Sequence, residues 1–86
     1  MEYAVLVDVR LRDGLADPAG ATVERSLPAL GYRGVSEVTV GKTVRFRVEA
    51  VNEEEARAVA EDLCATFLAN PVIEDAVVTV GLSEDA

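Results

Sequence analysis

Apolar and polar residues alternate along four segments of this chain, with the period of two that is typical of β-strands. The alternation predicts strands over residues 3–11, 35–40, 43–50 and 72–80. A tight turn at Gly41-Lys42 is expected to join the second strand to the third. The third strand is apolar on one side only, which is typical of an antiparallel strand with one solvated face.

A helix is predicted between the first two strands, where apolar residues recur at spacings of three and four. Asp17-Pro18 marks its start, because an aspartate side chain caps free N–H groups and proline suits the first helical position. Pro28 should weaken the last turn, and Gly31 is expected to end it. The apolar stripe of this helix consists of Val23, Leu27 and Leu30.

The second predicted helix begins at Asn52, which forms a capping box with Glu55. Asn70-Pro71 ends it, since the residue before a proline is pushed out of the helical region. Its wide apolar face is predicted to contain Ala56, Val59, Ala60, Leu63, Cys64, Phe67 and Leu68.

The predicted order is strand, helix, strand, strand, helix, strand. This order indicates an α+β protein with the ferredoxin-like βαββαβ plan, a four-stranded antiparallel sheet with two helices on one face. One domain is expected over residues 1–82, followed by a short acidic tail at 83–86.

The face of the sheet away from the helices is predicted to be unusually apolar. Ala4 and Leu6 lie on this face of the first strand and Val77 on the same face of the last. Such a face usually marks an interface, and a sheet-to-sheet homodimer is the simplest one. The alternative is that these are isolated apolar residues without a partner.

The net charge of −8 narrows the range of partners. A phosphate backbone is bound by a positive surface, so neither nucleic acid nor an anionic membrane is expected as a partner. No apolar run approaches the ~20 residues of a membrane-spanning helix, and no signal peptide is evident, so a cytoplasmic protein is predicted.

The chain offers little catalytic chemistry. It contains no histidine and one cysteine, the residues most used as general bases and soft metal ligands. Cys64 lies in the apolar stripe of the second helix and is expected to be a core residue. We therefore predict no catalytic residue, no metal site and no cofactor-binding site.

Three cations cluster around the third strand. Lys42, Arg45 and Arg47 form a basic patch for an acidic partner, or they pair with neighbours such as Glu37 and Glu49 across strands. Neither alternative is excluded by the sequence.

Four motifs give this chain a resemblance to a known family. They are residues 11–20 (LRDGLADPAG), Leu30-Gly31-Tyr32 with Val35, residues 38–42 (VTVGK) and residues 68–75 (LANPVIED). In this order and at these separations they resemble the PurS family, the small subunit of phosphoribosylformylglycinamidine (FGAM) synthase. The family has an aromatic residue where this chain has Ala76.

The resemblance implies a non-catalytic role in de novo purine biosynthesis. A PurQ-type glutaminase subunit releases ammonia, and a PurL-type synthetase subunit uses it with ATP and Mg to convert formylglycinamide ribonucleotide (FGAR) to FGAM. PurS bridges the two, assists ammonia transfer and is present in two copies, which implies a homodimer or a higher oligomer. On this resemblance the chain itself binds no cofactor.

The motif residues are candidates for contact with these partners. They are Asp17, Pro18, Gly41, Lys42, Arg45, Asn70 and Pro71. The alternative is that the motifs only shape the fold. Three other functions remain as alternatives. One is an ACT-like regulatory module that binds small molecules. The second is an RNA-binding domain of the same fold, which the charge and the few aromatic residues disfavour. The third is an enzyme of the dimeric ferredoxin-like kind, which the lack of histidine disfavours.

Overall fold

Three antiparallel strands form the sheet of this chain, which a computed structural model describes over residues 1–82. The predicted acidic tail at 83–86 lies outside the described residues. The strands are β1 (Glu2–Leu11), β2 (Lys42–Glu49) and β3 (Glu74–Leu82), and the helices are α1 (Pro18–Ser26) and α2 (Glu53–Leu63). An α+β fold is therefore confirmed.

β1 is the central strand, with β2 on one side and β3 on the other. Its register places Leu6 between Arg45 of β2 and Thr79 of β3. Alternation along β1 separates two faces. One carries Val5, Val7 and Val9, and the opposite face carries Ala4, Leu6 and Asp8.

The core lies between the first of these faces and α2. Val5, Val7 and Val9 are at most 3% exposed, and they pack against Ala60 and Cys64 of α2. Phe46 of β2 and Leu68, which follows α2, are partly buried against the same cluster. Cys64 is a core residue, as predicted.

The predicted start of α2 is confirmed. The Glu55 N–H donates to Asn52 Oδ1 over 2.8 Å, and the Val51 N–H donates to Glu55 Oε1 over 3.2 Å. The first bond satisfies an N–H group that the helix N-terminus leaves free. In the second, Glu55 accepts from Val51 rather than from the Asn52 N–H of a standard capping box.

The predicted apolar face of α2 is wrong at its C-terminal end. The last turn, Cys64–Leu68, is a π-helix in which the Ala69 N–H donates to the Cys64 carbonyl. A π-turn inserts an extra residue, so Leu68 and Ala69 point to the core. Phe67 is left 80% exposed, and Val59 is also exposed, at 39%.

The local predictions for α1 are also confirmed. Asp17 caps it and Pro18 is its first residue. The α-helix ends at Ser26, and Pro28 begins a short 3-10 turn that Gly31 closes in the left-handed region at φ 96°.

The predicted strand over residues 35–40 is not formed, which corrects the four-stranded sheet. The Val38 and Val40 N–H groups donate to carboxylates of Glu24 and Asp17, and Glu37 has a φ of 56° that interrupts an extended backbone. The predicted tight turn at Gly41-Lys42 is not formed either, because Lys42 is already the first residue of β2.

Helix α1 does not cover the sheet either, because residues 17–40 project from it as an arm. The radius of gyration is 16.5 Å, whereas a compact chain of this length has about 12 Å. Within a single chain the ferredoxin-like plan is therefore incomplete. Over the part of the chain described here, no helix is both long and apolar enough to cross a membrane.

Candidate interaction surfaces

The open face of the sheet carries a shallow apolar groove of about 410 Å³. Ala4 and Leu6 form its floor, and Arg45 and Arg47 stand beside them on β2. Val77 lies on the same face and is 56% exposed. The structure thus brings together the three residues predicted for a homodimer face, and their role in a dimer stays a prediction.

Charges of both signs border this groove. Arg47 lies 3.7 Å from Glu2, and Arg10 pairs with Asp8 at 2.7 Å. Lys42, in contrast, is opposite Val9, so it belongs to the helix-bearing side of the sheet. The prediction that Lys42 shares a basic patch with Arg45 and Arg47 is therefore wrong.

The three predicted contact motifs meet at one end of the sheet. β1 ends at Leu11, and β2 and β3 both begin beside that end. Asp17-Pro18, Gly41-Lys42 and Asn70-Pro71 consequently lie near one another. Arg45 is farther along β2, on the open face.

Asp17 links two of these motifs. Its Oδ1 accepts the Gly20 N–H and its Oδ2 accepts the Val40 N–H, each over 2.9 Å. These hydrogen bonds, with Gly20 and then with Val40, lower the pKa of Asp17 below its ordinary value of 3.8, because they favour the ionised carboxylate. Gly20 leaves the room for this approach, since a Cβ there would collide with the Val38 carbonyl oxygen.

The Asn70-Pro71 loop is held by its own hydrogen bonds. Asn70 Oδ1 accepts the Val72 N–H over 3.0 Å, and the Asn70 N–H donates to Glu74 Oε1 over 2.7 Å. Arg12 donates to the Pro71 carbonyl over 2.6 Å. Val72, in this loop, is left 77% exposed.

Cys64 has no role at these surfaces. Burial and the negative charge of Glu61 raise the pKa of its thiol, so it stays protonated near neutral pH. Among residues 1–82, no three His, Cys, Asp or Glu side chains are placed to hold a metal ion.

The Asp17→Asn substitution should separate the two roles of this side chain. Asparagine caps a helix as well as aspartate does, but it has one oxygen, so the bond to Val40 is lost while α1 is kept. We expect several-fold faster amide hydrogen exchange at Val40 and little change at Gly20, measured by NMR. Asp17→Ala should raise exchange at both amides, and equal exchange at Val40 in the parent and Asp17→Asn chains would contradict this assignment.

The same bonds make the arm sensitive to acid. The pKa of Asp17 is lowered on folding, so its ionised carboxylate stabilises the folded chain. This contribution to the free energy of unfolding is complete above the pKa of the unfolded chain, near 4, and is lost as the pH falls through the lower pKa of the folded chain. The Asp17→Asn chain should lack this loss.

An uncovered apolar sheet face and a projecting arm are features of a small α+β protein of the class that works by contact with other chains. Comparison with known proteins identifies the family to which this chain belongs. Residues 4–81 match the family model "PurS: Phosphoribosylformylglycinamidine (FGAM) synthase". The chain belongs to the PurS family and is the PurS subunit of FGAM synthase, in purine biosynthesis.

Individual relatives agree with this family. The PurS subunit of Methanocaldococcus jannaschii is 38% identical over 73 residues, which are 85% of this chain and 88% of that protein. The Synechocystis subunit is 41% identical over 73 residues, covering 85% of this chain and 73% of its own.

Solved structures show the same fold. The crystal structure of M. jannaschii PurS superposes with a TM-score of 0.85 at 35% identity, over 95% of this chain and 99% of that one. A chain in the structure of PurLQS from Thermotoga maritima has a TM-score of 0.86 at 32% identity, over 94% of this chain and 99% of its own.

Proposed function

We propose that this chain bridges a PurL-type synthetase and a PurQ-type glutaminase in the cytoplasm and assists ammonia transfer between them. The observation that carries the proposal is the similarity to a chain of the T. maritima PurLQS structure over 94% of this sequence. The ATP and Mg of the reaction then belong to the synthetase. The relatives reported above give no support to an ACT-like regulatory module.

A physical reason for a bridging subunit lies in the chemistry of ammonia. Ammonia released into water is largely protonated near neutral pH, and the ammonium ion has no lone pair with which to attack. A subunit that holds the two sites in one assembly shortens the time that ammonia spends in water. Such a subunit needs contact surfaces rather than catalytic groups of its own.

We also propose that two copies associate through the open face of the sheet. Its centre is apolar at Ala4, Leu6 and Val77. Arg45 lies at one side of this centre and Asp8 and Asp75 at the other. Because Asp8 and Asp75 are already paired with Arg10 and Arg12 of the same chain, the apolar centre would supply the contact, and a two-fold axis would set the same patch of both copies together.

Charge reversal tests the contacts with the larger subunits. We expect Lys42→Glu and Arg45→Glu each to weaken assembly about tenfold or more, because a reversed charge at an interface removes one attraction and adds a repulsion. The measurement is light scattering of the chain mixed with synthetase, glutaminase, glutamine and ADP. Since the two residues lie on opposite faces of β2, the pair also reports which face is in contact.

The double variant Ala58→Glu/Ala65→Glu is the matched control. Both alanines are exposed on the second helical segment, and the variant makes the same two-unit change in net charge. If the control weakens assembly equally, net charge alone is responsible. If Lys42→Glu and Arg45→Glu assemble normally with unchanged thermal stability, neither residue is a contact.

A further inference from the structure

The link between the sheet and the arm is a short exposed turn that follows β1. Asp13 and Gly14 lie at its centre, and both residues are exposed. Gly14 has a φ of 85°, a backbone conformation that glycine adopts without strain. The turn is closed by a backbone hydrogen bond in which the Leu15 N–H donates to the Arg12 carbonyl over 3.3 Å. This distance is longer than the usual range of about 2.7–3.2 Å, so the turn opens easily.

Both ends of this link are anchored, which leaves the turn as its mobile part. At the sheet, the Arg12 N–H donates to the Ile73 carbonyl over 2.9 Å. At the arm, Asp17 accepts the Val40 N–H over 2.9 Å. Residues 13–16 can therefore change conformation while the sheet and α1 stay folded.

Asp13 lacks the contacts that restrain other aspartates. Within residues 1–82 its carboxylate has no hydrogen bond or ion pair, and the N–H of the following Gly14 has no acceptor. The other aspartates of this range are held by an ion pair, by hydrogen bonds to the carboxylate or by a helix, and they are Asp8, Asp75, Asp17 and Asp62.

A free aspartate before a glycine can react with its own backbone. The Gly14 nitrogen attacks Cγ of Asp13, and glycine favours this step because it has no Cβ beside the attacking nitrogen. A new N–Cγ bond forms, and one carboxyl oxygen leaves as water with the carboxyl proton and the amide proton. The product is a five-membered succinimide ring.

Addition of water then opens this ring in one of two ways. Cleavage of the new N–Cγ bond restores aspartate. Cleavage of the bond between the Gly14 nitrogen and the main-chain carbonyl carbon of Asp13 gives isoaspartate, in which the chain continues through the side chain. One water leaves and one water enters, so the reaction needs no other reactant and changes neither mass nor the number of carboxylates.

We propose that Asp13 is a site of spontaneous isomerisation to isoaspartate, which makes the main chain one methylene longer at the start of the arm. The added carbon enters between Arg12, which is fixed to the sheet, and Asp17, which holds Val40 at the other end of the arm. The lengthened link displaces Asp17 from Val40. Isomerisation therefore loosens the arm in aged protein.

Ageing of the full chain tests the site. The folded protein is kept for several weeks at mildly acidic to neutral pH and physiological temperature, and its peptides are analysed by mass spectrometry with electron-transfer fragmentation. This method identifies isoaspartate because its Cα–Cβ bond lies in the main chain. Isoaspartate at Asp13 should form at least about tenfold faster than at Asp8, Asp62 or Asp75, a difference of about 1.4 kcal/mol in the barrier. Equal rates at these positions would overturn the proposal.

Two variants are the matched controls. Asp13→Glu keeps the charge, but its ring would have six members and forms far more slowly, so this chain should not isomerise at the site. Gly14→Asn keeps a residue that tolerates positive φ, but it adds a side chain beside the attacking nitrogen and should slow the reaction several-fold. A Gly14→Asn chain that isomerises as fast as the parent would contradict the assigned role of Gly14.

A synthetic peptide of residues 8–19 shows whether the fold protects the site. Because the turn opens easily, the folded chain should isomerise within about tenfold of the peptide rate, which corresponds to about 1.4 kcal/mol for opening. A much slower reaction in the folded chain would overturn the proposal.

The consequence for the arm is measured by NMR on the aged sample. Amide hydrogen exchange at Val40 should be several-fold faster in the isomerised population, whereas exchange at Val7 in the sheet should not change. Unchanged exchange at Val40 would overturn the link between isomerisation and the arm.

Discussion

Replacing Val7 with alanine is expected to lower the free energy of unfolding by about 2–3 kcal/mol. Val7 is fully buried at the centre of the contact between β1 and α2, so its removal leaves a cavity that valine neighbours cannot fill. The total free energy of unfolding of a chain of this length is about 4–13 kcal/mol. The melting temperature should fall by roughly 10–20 °C, measured by circular dichroism at fixed chain concentration.

Val77→Ala is the matched control, because it makes the same change on the neighbouring strand. Val77 is 56% exposed, so its loss should change the unfolding free energy of the dilute chain by about 0.5 kcal/mol or less. Equal destabilisation by the two substitutions would show that the core does not lie on the Val7 face.

Omitting this chain from a mixture of synthetase and glutaminase should abolish most glutamine-dependent FGAM formation. Without a bridge the two active sites are no longer held together. Loss of such a linkage commonly lowers the effective affinity by about 10²-fold or more. The measurement compares FGAM formation with glutamine and with an ammonium salt as the nitrogen source. The reaction with the ammonium salt should change little, because it needs no transfer between subunits.

The ammonium reaction is also the internal control for this experiment. If both nitrogen sources lose activity together, the chain supports the synthetase itself rather than ammonia transfer. If omitting the chain changes FGAM formation with neither nitrogen source, the proposed bridging role is wrong.

Features of this fold that depend on neighbouring residues were predictable from the sequence. Asp17 and Asn52 cap the helix starts through hydrogen bonds to residues close in sequence, and Pro28 follows the end of α1, as predicted. The alternation along β1 also predicted the two faces of the sheet. Leu6 and Val77 consequently share the open face, as expected.

Features that depend on distant contacts were not predictable. Residues 35–40 have the alternation of a strand, but whether they pair depends on Asp17 and Glu24, whose carboxylates bind their N–H groups instead. Phe67 has the spacing of a core residue, yet the π-turn rotates it into solvent. No residue pattern distinguishes a widened last turn from an α-helical one.

The central position of β1 has a consequence for synthesis on the ribosome. β1 is translated first, but its two neighbours are β2 and, last of all, β3. The sheet therefore cannot be completed until residues 74–82 have emerged from the exit tunnel. Until then β1 keeps one unpaired edge, and such an edge makes a nascent chain prone to aggregation.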